Sequence, residues 1–569
     1  MTIISSFLSL PFAAVLLYAA VLVAGVAYVT IRNTVRFLHL LQLDSYQRDG
    51  YLRTLKRNRK DIRPFYTVIL AAAIGETIAC ALNIWVSVIA GCVVSAVTFA
   101  LYMALGLEIA KQRRAQKQKK ELVWTDRMKR LSRCTRMVCI MASVVCVAIA
   151  VLVCNAIISI ENAPVAWLFG ILFSTLVAAW PLCMTHQWVQ LAARLREKPE
   201  QKINQRFIDD AKRIIQSRPD IKRVGITGSY GKTSTKFILG AILRQKYHPL
   251  VPPASYNTPM GITRMVREML TDQNDVIIAE MGARHVHEIA ELCEIVPPQY
   301  SLLTSVGNQH LETFGSQENI TNTKYEIMQA LGPDGVGFFP EDHGICKQLY
   351  LRFEGNKRLF GIDGDDLDVW AEHIQTGPFG SSFDLVCKSG ERIACTCKLL
   401  GRHNVMNVLG CAAVALEMGL SLQQIADGVA QAEPVEHRLQ LIDPGTGSLV
   451  IDDAFNSNPT GTQAAMDVLA SFDGYRKICI TPGMVELGAE EDSENEKFGA
   501  RMAPVCDIVI LVGKTRAVPI ERGLLQAGFD QKNIFIAENL DDASAILALL
   551  ARPRDVVLFE NDLPDHYEQ

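Results

Sequence analysis

A glycine-rich loop between a predicted strand and a predicted helix is the clearest chemical feature of this sequence. It reads Ile226-Thr-Gly-Ser-Tyr-Gly-Lys-Thr-Ser234, after a strand over Arg223–Ile226 and before a helix over Thr233–Gln245. Backbone N–H groups in such a turn, together with the helix N-terminus, bind nucleotide phosphates. The lysine neutralises the β- and γ-phosphates and the threonine hydroxyl ligates Mg²⁺. The residues predicted to contact ATP here are Gly228, Ser229, Gly231, Lys232 and Thr233.

Two further side chains follow predicted strands at the same sheet edge. Glu280 ends the segment Ile277-Ile-Ala-Glu280, where a carboxylate can hold Mg²⁺ beside the phosphate loop. His310 lies in a segment that follows the next strand, which favours a metal-binding role over the structural role of most single histidines. An exposed loop acid and a structural histidine are the alternatives.

The C-terminal half offers a second set of polar residues. Asn404 and Asn407 lie at the start of a predicted helix and present two amides to a base or ribose. Arg438 is placed to stabilise a transferring phosphate. Asp453 follows the first strand of the last predicted unit and would face the nucleotide across a cleft.

The elements that position these residues are strands alternating with helices from Gln205 onward, which predicts α/β domains with parallel sheets. A break near Pro434 opens a second unit, a small doubly wound, Rossmann-like sheet. The predicted strands of the first unit are Arg223–Ile226, Asp275–Ala279, Tyr300–Thr304, Gly335–Phe339 and an antiparallel pair, Phe383–Cys387 and Arg392–Lys398. Those of the second are Leu449–Asp452, Lys477–Thr481, Ile508–Val512, Asn533–Ile536 and Asp555–Leu558.

The bulk composition limits the function classes. The net charge of −3 gives no basic field for nucleic acid, so no nucleic-acid partner is predicted. The 15 cysteines are scattered without a Cys-x-x-Cys pair, which favours reduced thiols over disulfides or zinc. Hydrophobic residues make up 49% of the chain and concentrate before residue 190, in runs too long for core helices.

Those runs predict a multi-pass helical membrane domain. Asn83 is the expected turn of a hairpin between two of its spans. The linkers after the first and third spans are rich in Lys and Arg, so both are assigned to the cytoplasm. The N-terminus is then outside and everything after Met184 is cytoplasmic. The predicted spans are Leu8–Ile31, Phe65–Leu82, Ile84–Leu107, Met137–Ile158 and Val165–Met184.

Two residue-level questions stay open within this domain. A cleaved signal peptide is the rival interpretation of Leu8–Ile31, although the segment lacks a basic beginning and a small-residue cleavage site. Glu76 falls inside a span, where it is either functional or a hydrogen-bonded structural group.

The ordered motifs resemble the Mur ligase family, and most nearly its D-alanyl-D-alanine-adding branch. The resemblance runs from about Val224 to Asp562 and includes the phosphate loop, Glu280-Met-Gly, His310-Leu-Glu, Gly401-Arg-His-Asn-Val-Met-Asn407 and Asp452-Asp-Ala-Phe-Asn-Ser-Asn-Pro459. It implies an ATP-dependent acid–amino-acid ligase that activates a carboxylate of a peptidoglycan precursor as an acyl phosphate. An amine, D-alanyl-D-alanine or a similar acceptor, then attacks that acyl phosphate.

The resemblance also implies residue roles. Lys232, His310 and Lys324 form the implied catalytic set, with Thr233, Glu280, His310 and Lys324 around Mg²⁺. Lys324 occupies the position that is carbamylated in the family, whereas the sequence alone ranks it as an ordinary helix-surface lysine. Asn404 and Asn407 resemble the adenine-contacting pair. Arg438 and Asp453 resemble contacts made with the nucleotide across the domain cleft.

The chain departs from the family at both ends. The predicted domains are a membrane domain over 1–200, a central ATP-binding P-loop domain over 201–434 and a C-terminal domain over 435–569. The membrane domain stands where the family has its UDP-binding domain, and the ending Leu558-Phe-Glu-Asn-Asp-Leu-Pro-Asp565 differs from that of the branch. Whether the precursor is lipid-linked or UDP-linked therefore stays open. Amidation of a lipid-linked precursor and a non-catalytic membrane scaffold are the other candidates.

Overall fold

The chain divides into two compact units, Met1–Ile203 and Asn204–Tyr567. The computed structural model describes residues 12–562 except 45, 58–61, 116–120, 159–163, 254, 308, 310, 456 and 486. The first unit is helical in its described parts. The second contains two β-sheets whose strands alternate along the chain with helices. This arrangement confirms the predicted order of a helical region followed by α/β domains.

The helices of the first unit are long and apolar. Among the described residues, four segments are long and apolar enough to cross a membrane: Ala19–Leu43, Arg63–Leu82, Ile89–Arg114 and Asp126–Val153. The fifth predicted span falls on a helix whose searched apolar part, Leu172–Cys183, is shorter. In chain order the helices are α1 (Phe12–Leu43), α2 (Arg48–Arg57), α3 (Arg63–Trp85), α4 (Val88–Ala115), α5 (Asp126–Ile158), α6 (Pro164–Cys183) and α7 (Thr185–Gln216).

The turn between α3 and α4 corrects one prediction. Asn83 was expected to form it, but the helix continues to Trp85 and the break falls at Val86 and Ser87. Both of their N–H groups are bonded to the Leu82 carbonyl, at 2.9 Å each. The Ser87 hydroxyl then accepts from the N–H of Ile89 at 3.2 Å, so the side chain that caps the next helix marks the turn.

The central domain is built on a nine-stranded sheet in the order β2-β3-β1-β4-β5-β6-β7-β8-β9. Strands β2 to β7 are parallel, and β7, β8 and β9 form an antiparallel extension, as predicted for the last pair. Its elements are β1 (Lys222–Thr227), α8 (Lys232–Leu243), β2 (Pro249–Leu250), α9 (Pro259–Arg264), β3 (Val276–Glu280), α10 (Glu288–Ile295), β4 (Tyr300–Leu303), α11 (Leu311–Phe314), α12 (Gln317–Gln329), β5 (Val336–Pro340), α13 (Ile345–Arg352), β6 (Asn356–Gly361), β7 (Val369–Gly377), β8 (Gly380–Cys387), β9 (Arg392–Cys397), α14 (Arg402–Glu417) and α15 (Leu422–Ala430).

Apolar helices cover both faces of this sheet, which explains why its central strands are continuously hydrophobic. Every residue of β3 and β5 is buried. On one face α8, α14 and α15 contribute to the core, and on the other the end of α7 packs through Ile208, Ala211 and Ile215. The carboxyl ends of β1, β3 and β4 therefore meet at one edge, which is where the predicted site residues lie.

The C-terminal domain is a six-stranded sheet in the order β10-β11-β15-β12-β13-β14. Only the edge strand β10 is antiparallel, and the other neighbours are parallel. All five strands predicted for this domain are confirmed within two residues. The elements are β10 (Gln440–Ile442), β11 (Leu449–Asp453), α16 (Pro459–Ala470), β12 (Arg476–Thr481), α17 (Glu491–Met502), β13 (Ile508–Val512), α18 (Lys514–Gln526), β14 (Ile534–Ala537), α19 (Leu540–Leu550) and β15 (Asp555–Glu560).

Candidate functional site

The glycine-rich loop joins β1 to α8, as its sequence predicts. Gly231 has φ of 79° and directly precedes the helix, a left-handed conformation that glycine adopts without strain. A side chain at Gly231 would collide with the Asn407 amide, whose Oδ1 lies 2.7 Å from the position of a Cβ. The loop therefore needs glycine both for its backbone and for its close approach to α14.

Residues after β4 hold the loop in place. The Ser229 N–H donates to the Ser305 carbonyl at 2.9 Å, and its hydroxyl donates to the Gly307 carbonyl at 3.0 Å. The Tyr230 N–H donates to the Ser305 hydroxyl at 2.9 Å, while the Thr304 hydroxyl bonds to the Tyr230 carbonyl. These contacts fix the loop before any ligand binds, which lowers the entropic cost of binding.

Lys232 lies at the centre of the loop. Its Nζ donates to the carbonyls of Gly228, at 2.6 Å, and Ser229, at 3.1 Å. Burial lowers the pKa of Lys232 to about 8, with an opposing effect of Glu280 and a smaller lowering by Arg438. A partly desolvated cation over a ring of backbone groups is suited to binding phosphate.

Glu280 ends β3 beside the loop and is 2% exposed. Its Oε1 accepts from the Thr233 hydroxyl at 3.2 Å and from the Asn257 amide at 3.0 Å. Its Oε2 lies 3.3 Å from Nζ of Lys236, which is fully buried. Burial lowers the pKa of Lys236, against the attraction of Glu280. The burial of Lys236 is not predictable from the sequence, because a lysine one turn after Lys232 looks like a solvated helix position.

Lys324 differs from its sequence-based interpretation as a surface lysine. It lies on α12, is 3% exposed and faces the interior. Burial lowers the pKa of Lys324 well below its usual range, and the positive charge of Lys232 lowers it further, against Glu288 and Glu326. Two lysines thus converge near the phosphate loop.

The two asparagines of α14 have different surroundings. Asn404 is 6% exposed and donates to the Leu400 carbonyl at 2.9 Å. Its Oδ1 accepts from the Asn407 amide at 3.2 Å, so both of its polar groups bind protein. Asn407 contacts Gly231 of the loop, as described above. Of the predicted pair, Asn407 is therefore the residue that lies beside the loop.

Arg438 and Asp453 approach the site from the C-terminal domain. The Arg438 guanidinium stacks on the Phe455 ring at 4.2 Å from its centroid. Burial lowers the pKa of Arg438, and Asp453 and Glu280 oppose that change. The Asp453 carboxylate accepts from the N–H of Leu439 at 3.2 Å. Both residues are therefore fixed by protein contacts next to the connector between the domains.

Asp453 has a buried acidic neighbour that the analysis of the sequence did not identify. Glu560 is its register partner on β15 and is 1% exposed. The Ser457 hydroxyl donates to Glu560 Oε1 at 2.6 Å. Burial raises the pKa of Asp453 to about 6, although the positive charge of Arg438 opposes this change. Burial also raises the pKa of Glu560 well above its usual range, and the negative charge of Asp453 raises it further.

The edge of the central sheet offers oxygen ligands to a divalent cation. Glu280 and Thr233 bring a carboxylate and a hydroxyl together, the donors that Mg²⁺ prefers. His310, the other predicted ligand, lies outside the described residues. Within the described parts of the chain, no three His, Cys, Asp or Glu side chains gather into a metal-binding group.

Comparison with known families matches both α/β domains. The family model of the Mur ligase middle domain matches residues 226–415. A second model, the Mur ligase glutamate ligase domain, matches residues 437–560. The two matched regions correspond to the domains that carry the loop and the Asp453–Glu560 pair.

Individual relatives give the same result. The UDP-N-acetylmuramoyl-tripeptide–D-alanyl-D-alanine ligase of Mycobacterium tuberculosis is 34% identical over 357 residues, which are 59% of this chain and 69% of the relative. The ligase of that name from Escherichia coli is 32% identical over 306 residues, covering 53% and 66%. The crystal structure of MurF from Acinetobacter baumannii superposes with a TM-score of 0.58 at 26% identity, covering 64% of this chain and 78% of that one.

Proposed function

The chain belongs to the Mur ligase family of ATP-dependent peptidoglycan-precursor ligases, and we propose that it joins a muropeptide carboxylate to the amine of D-alanyl-D-alanine or a similar acceptor. The observation that carries this proposal is the phosphate loop with Lys232 and Lys324 converging on it and Glu280 beside it. This edge offers positive charge and hydrogen-bond donors where a triphosphate would lie.

The reaction has two steps. A precursor carboxylate oxygen attacks the γ-phosphorus of ATP, the bond to the bridging oxygen breaks, and ADP leaves. The acceptor nitrogen then attacks the acyl carbon, the carbon–oxygen bond to phosphate breaks, and the nitrogen gives up a proton. Negative charge builds up on the phosphoryl oxygens in the first step, and preorganised cations stabilise it.

The chain's own groups divide this work. Lys232 reaches the β- and γ-phosphates by exchanging its contacts with Gly228 and Ser229. Arg438, stacked on Phe455, offers a second cation from the other domain. Asn407 contributes its amide to the base or ribose. Thr233 and Glu280 would hold Mg²⁺, which when bound supplies further positive charge to the phosphates.

Lys324 is suited to carbamylation. A carbamate forms when a neutral amine attacks CO₂ and loses a proton, and the lowered pKa of Lys324 supplies that neutral amine. The product is an anion, which would remove the repulsion between Lys324 and Lys232. Lys324→Arg keeps a positive charge but cannot be carbamylated, so we expect it to lose ligase activity as fully as Lys324→Ala. Retention of activity by Lys324→Arg would show that the residue acts as a cation.

We place the ligase domains in the cytoplasm, attached to a bacterial inner membrane by the helical unit, with the N-terminus outside. The support is the odd number of predicted spans, five, of which four fall on helices long and apolar enough to cross a membrane, together with the distribution of Lys and Arg. The precursor in this proposal is a polyprenyl-diphosphate-linked muropeptide. Helix α2 supports that choice because Tyr51 and Leu55 are buried while Arg53 and Lys56 are exposed, giving a basic face suited to a diphosphate.

Mass analysis of the products of full-length protein tests this function. The reactions contain ATP, lipid-linked or UDP-linked precursor, and either D-alanyl-D-alanine or ammonia. We expect a dipeptide adduct with ADP release, and faster ligation of the lipid-linked form. Incorporation of ammonia alone would instead support amidation. If ADP release stays at background with both acceptors, the result would support a non-catalytic scaffold.

Three further proteins, one of them a matched control, test the membrane part. Arg53→Ala with Lys56→Ala should raise the KM for lipid-linked precursor roughly tenfold and leave that for the UDP-linked form unchanged. Arg194→Ala with Lys198→Ala removes two exposed charges of α7 and is the matched control. A truncated protein beginning at Gln201 that ligates both precursors equally well would overturn the lipid-linked proposal.

A further inference from the structure

The carboxyl ends of β11 and β15 bring two acids side by side. Asp453 and Glu560 are register partners on these parallel strands, so their side chains are neighbours on the same face of the sheet, and Glu560 is 1% exposed. Two neighbouring carboxylates away from water cannot both be ionised without strong repulsion, so the pair shares a proton. One of the two acids is therefore neutral and donates to the other.

The surroundings place that proton on Glu560. Its Oε1 accepts from the Ser457 hydroxyl, whereas its buried Oε2 receives no donor in the described part of the chain. A proton on Oε2 turns this unsatisfied acceptor into a donor to Asp453. Asp453 in turn has the N–H of Leu439 and the nearby guanidinium of Arg438, both of which favour its ionised form.

The titratable groups around Glu560 agree with this assignment. From β11 it faces Asp453, with Asp452 one residue away, and from β12 it faces Cys479, whose thiol is fully buried. Arg438 interacts electrostatically with Asp453. The acids repel a charge on Glu560, and the cation acts mainly on Asp453.

We propose that Glu560 is a positioning residue that acts as a neutral acid, donating a hydrogen bond that holds the Asp453 carboxylate beside Arg438 in the nucleotide cleft. This inference rests on the proposed nucleotide role of Asp453 and Arg438. It assigns a role to the segment in which the chain departs from the ending of its family branch. Asn561 follows with φ of 68° and donates to the Gly483 carbonyl at 2.5 Å, which fixes the end of β15.

The test measures binding of a fluorescent ADP, N-methylanthraniloyl-ADP with Mg²⁺, to full-length protein. Glu560→Gln keeps a neutral donor of the same shape, and Glu560→Met keeps the shape without a donor. We expect Glu560→Gln to bind within about twofold of wild type and Glu560→Met to bind about tenfold more weakly. Glu538→Gln, an exposed glutamate directly after β14 of the same sheet, is the matched control and should match wild type.

A double-substitution cycle separates this role from a general structural one. If Glu560 acts through Asp453, then Glu560→Met should weaken binding no further in an Asp453→Asn protein. Equal weakening by Glu560→Gln and Glu560→Met, or the same loss in both backgrounds, would overturn the inference. If wild type binds the fluorescent ADP and neither substitution at Glu560 changes the affinity, the inference is overturned too, while the proposed function is left intact. If wild type binds no nucleotide, the proposed function fails and the inference fails with it.

Discussion

The two sheet edges that form the site gather ionisable groups of different kinds. The edge of the central sheet brings Lys232, Lys236 and Lys324 near the carboxylate of Glu280. The edge of the C-terminal sheet brings the acids Asp453 and Glu560 near the guanidinium of Arg438. One edge is therefore arranged to receive a polyanion, and the other to present hydrogen-bond acceptors and a shared proton.

Glu280 and Glu560 show what decides the role of a buried glutamate at a strand end. They are nearly equally buried, at 2% and 1% exposure. Glu280 faces the ammonium of Lys236, and Glu560 faces the carboxyl of Asp453. Burial penalises charge at both positions, so the nearest partner determines whether the side chain serves as an anion or as a neutral donor.

The largest expected effect comes from removing the main cation of the central edge. Lys232→Ala should lower ligation by at least about a hundredfold, because the phosphates lose the ammonium that neutralises them. Lys246→Ala, at an exposed lysine after the same helix, is the control for loss of a lysine in general. Ligation by Lys232→Ala at the wild-type rate would show that the central edge is not the phosphate site.

Glu280→Gln tests Glu280, the buried glutamate that serves as an anion in the comparison with Glu560. It leaves the fully buried Lys236 without its carboxylate, and we expect the free energy of unfolding to fall by about 3 kcal/mol. Chemical denaturation of wild type and variant measures this difference without nucleotide or Mg²⁺. An unchanged stability would mean that Lys236 does not depend on Glu280, and the contrast with Glu560 would disappear.

The pH dependence of nucleotide binding sharpens the comparison. Since the pKa of Lys232 is lowered to about 8, the empty site loses this cation as the pH rises through 8. Above that pH binding requires proton uptake, so the affinity for ADP should fall about tenfold per pH unit. Titration calorimetry from pH 6.5 to 9.5 measures the slope, and a flat profile would contradict the predicted protonation of Lys232.

Glu560→Gln should change the stability in the opposite direction to Glu280→Gln, by an amount that depends on pH. The pKa of Glu560 is raised in the folded protein, so its stabilising contribution is complete below the unfolded value and is lost as the pH rises. The free energy of unfolding of wild type should therefore fall relative to Glu560→Gln by about 1.4 kcal/mol per pH unit above pH 4.5, until the folded pKa is reached. A constant difference from pH 5 to 8 would show that Glu560 is ionised.

The sequence predicts the scaffold of the central edge better than its electrostatics. Strands β1, β3, β4 and β5 and the phosphate loop follow from short apolar runs and glycines, which are local signals. Strand β6 was missed because Lys357 and Arg358 interrupt its apolar pattern, although Leu359, Phe360 and Gly361 are buried. Burial of charged residues depends on distant helices, and a local pattern does not contain it.

Lys324 and Glu560 illustrate that limit from opposite directions. Lys324 occurs among polar residues of α12 that suggest a solvated face, and tertiary packing buries it. Glu560 looks like an ordinary polar end of a strand, and only the β11–β15 register places it beside Asp453. The signal that would have found Glu560 is the departure of the chain's ending from its family branch.

The contacts of Lys232 with the loop carbonyls have a consequence for ligand selectivity. Its ammonium already binds the Gly228 and Ser229 carbonyls, so a ligand must offer a better partner to draw it away. Adenosine, which has no phosphate, would leave the lysine where it is and gain only base and ribose contacts. Each added phosphate makes the exchange more favourable, so the loop discriminates by the charge of the ligand's tail. An inhibitor that carries only the adenosine part would therefore compete poorly with cellular ATP.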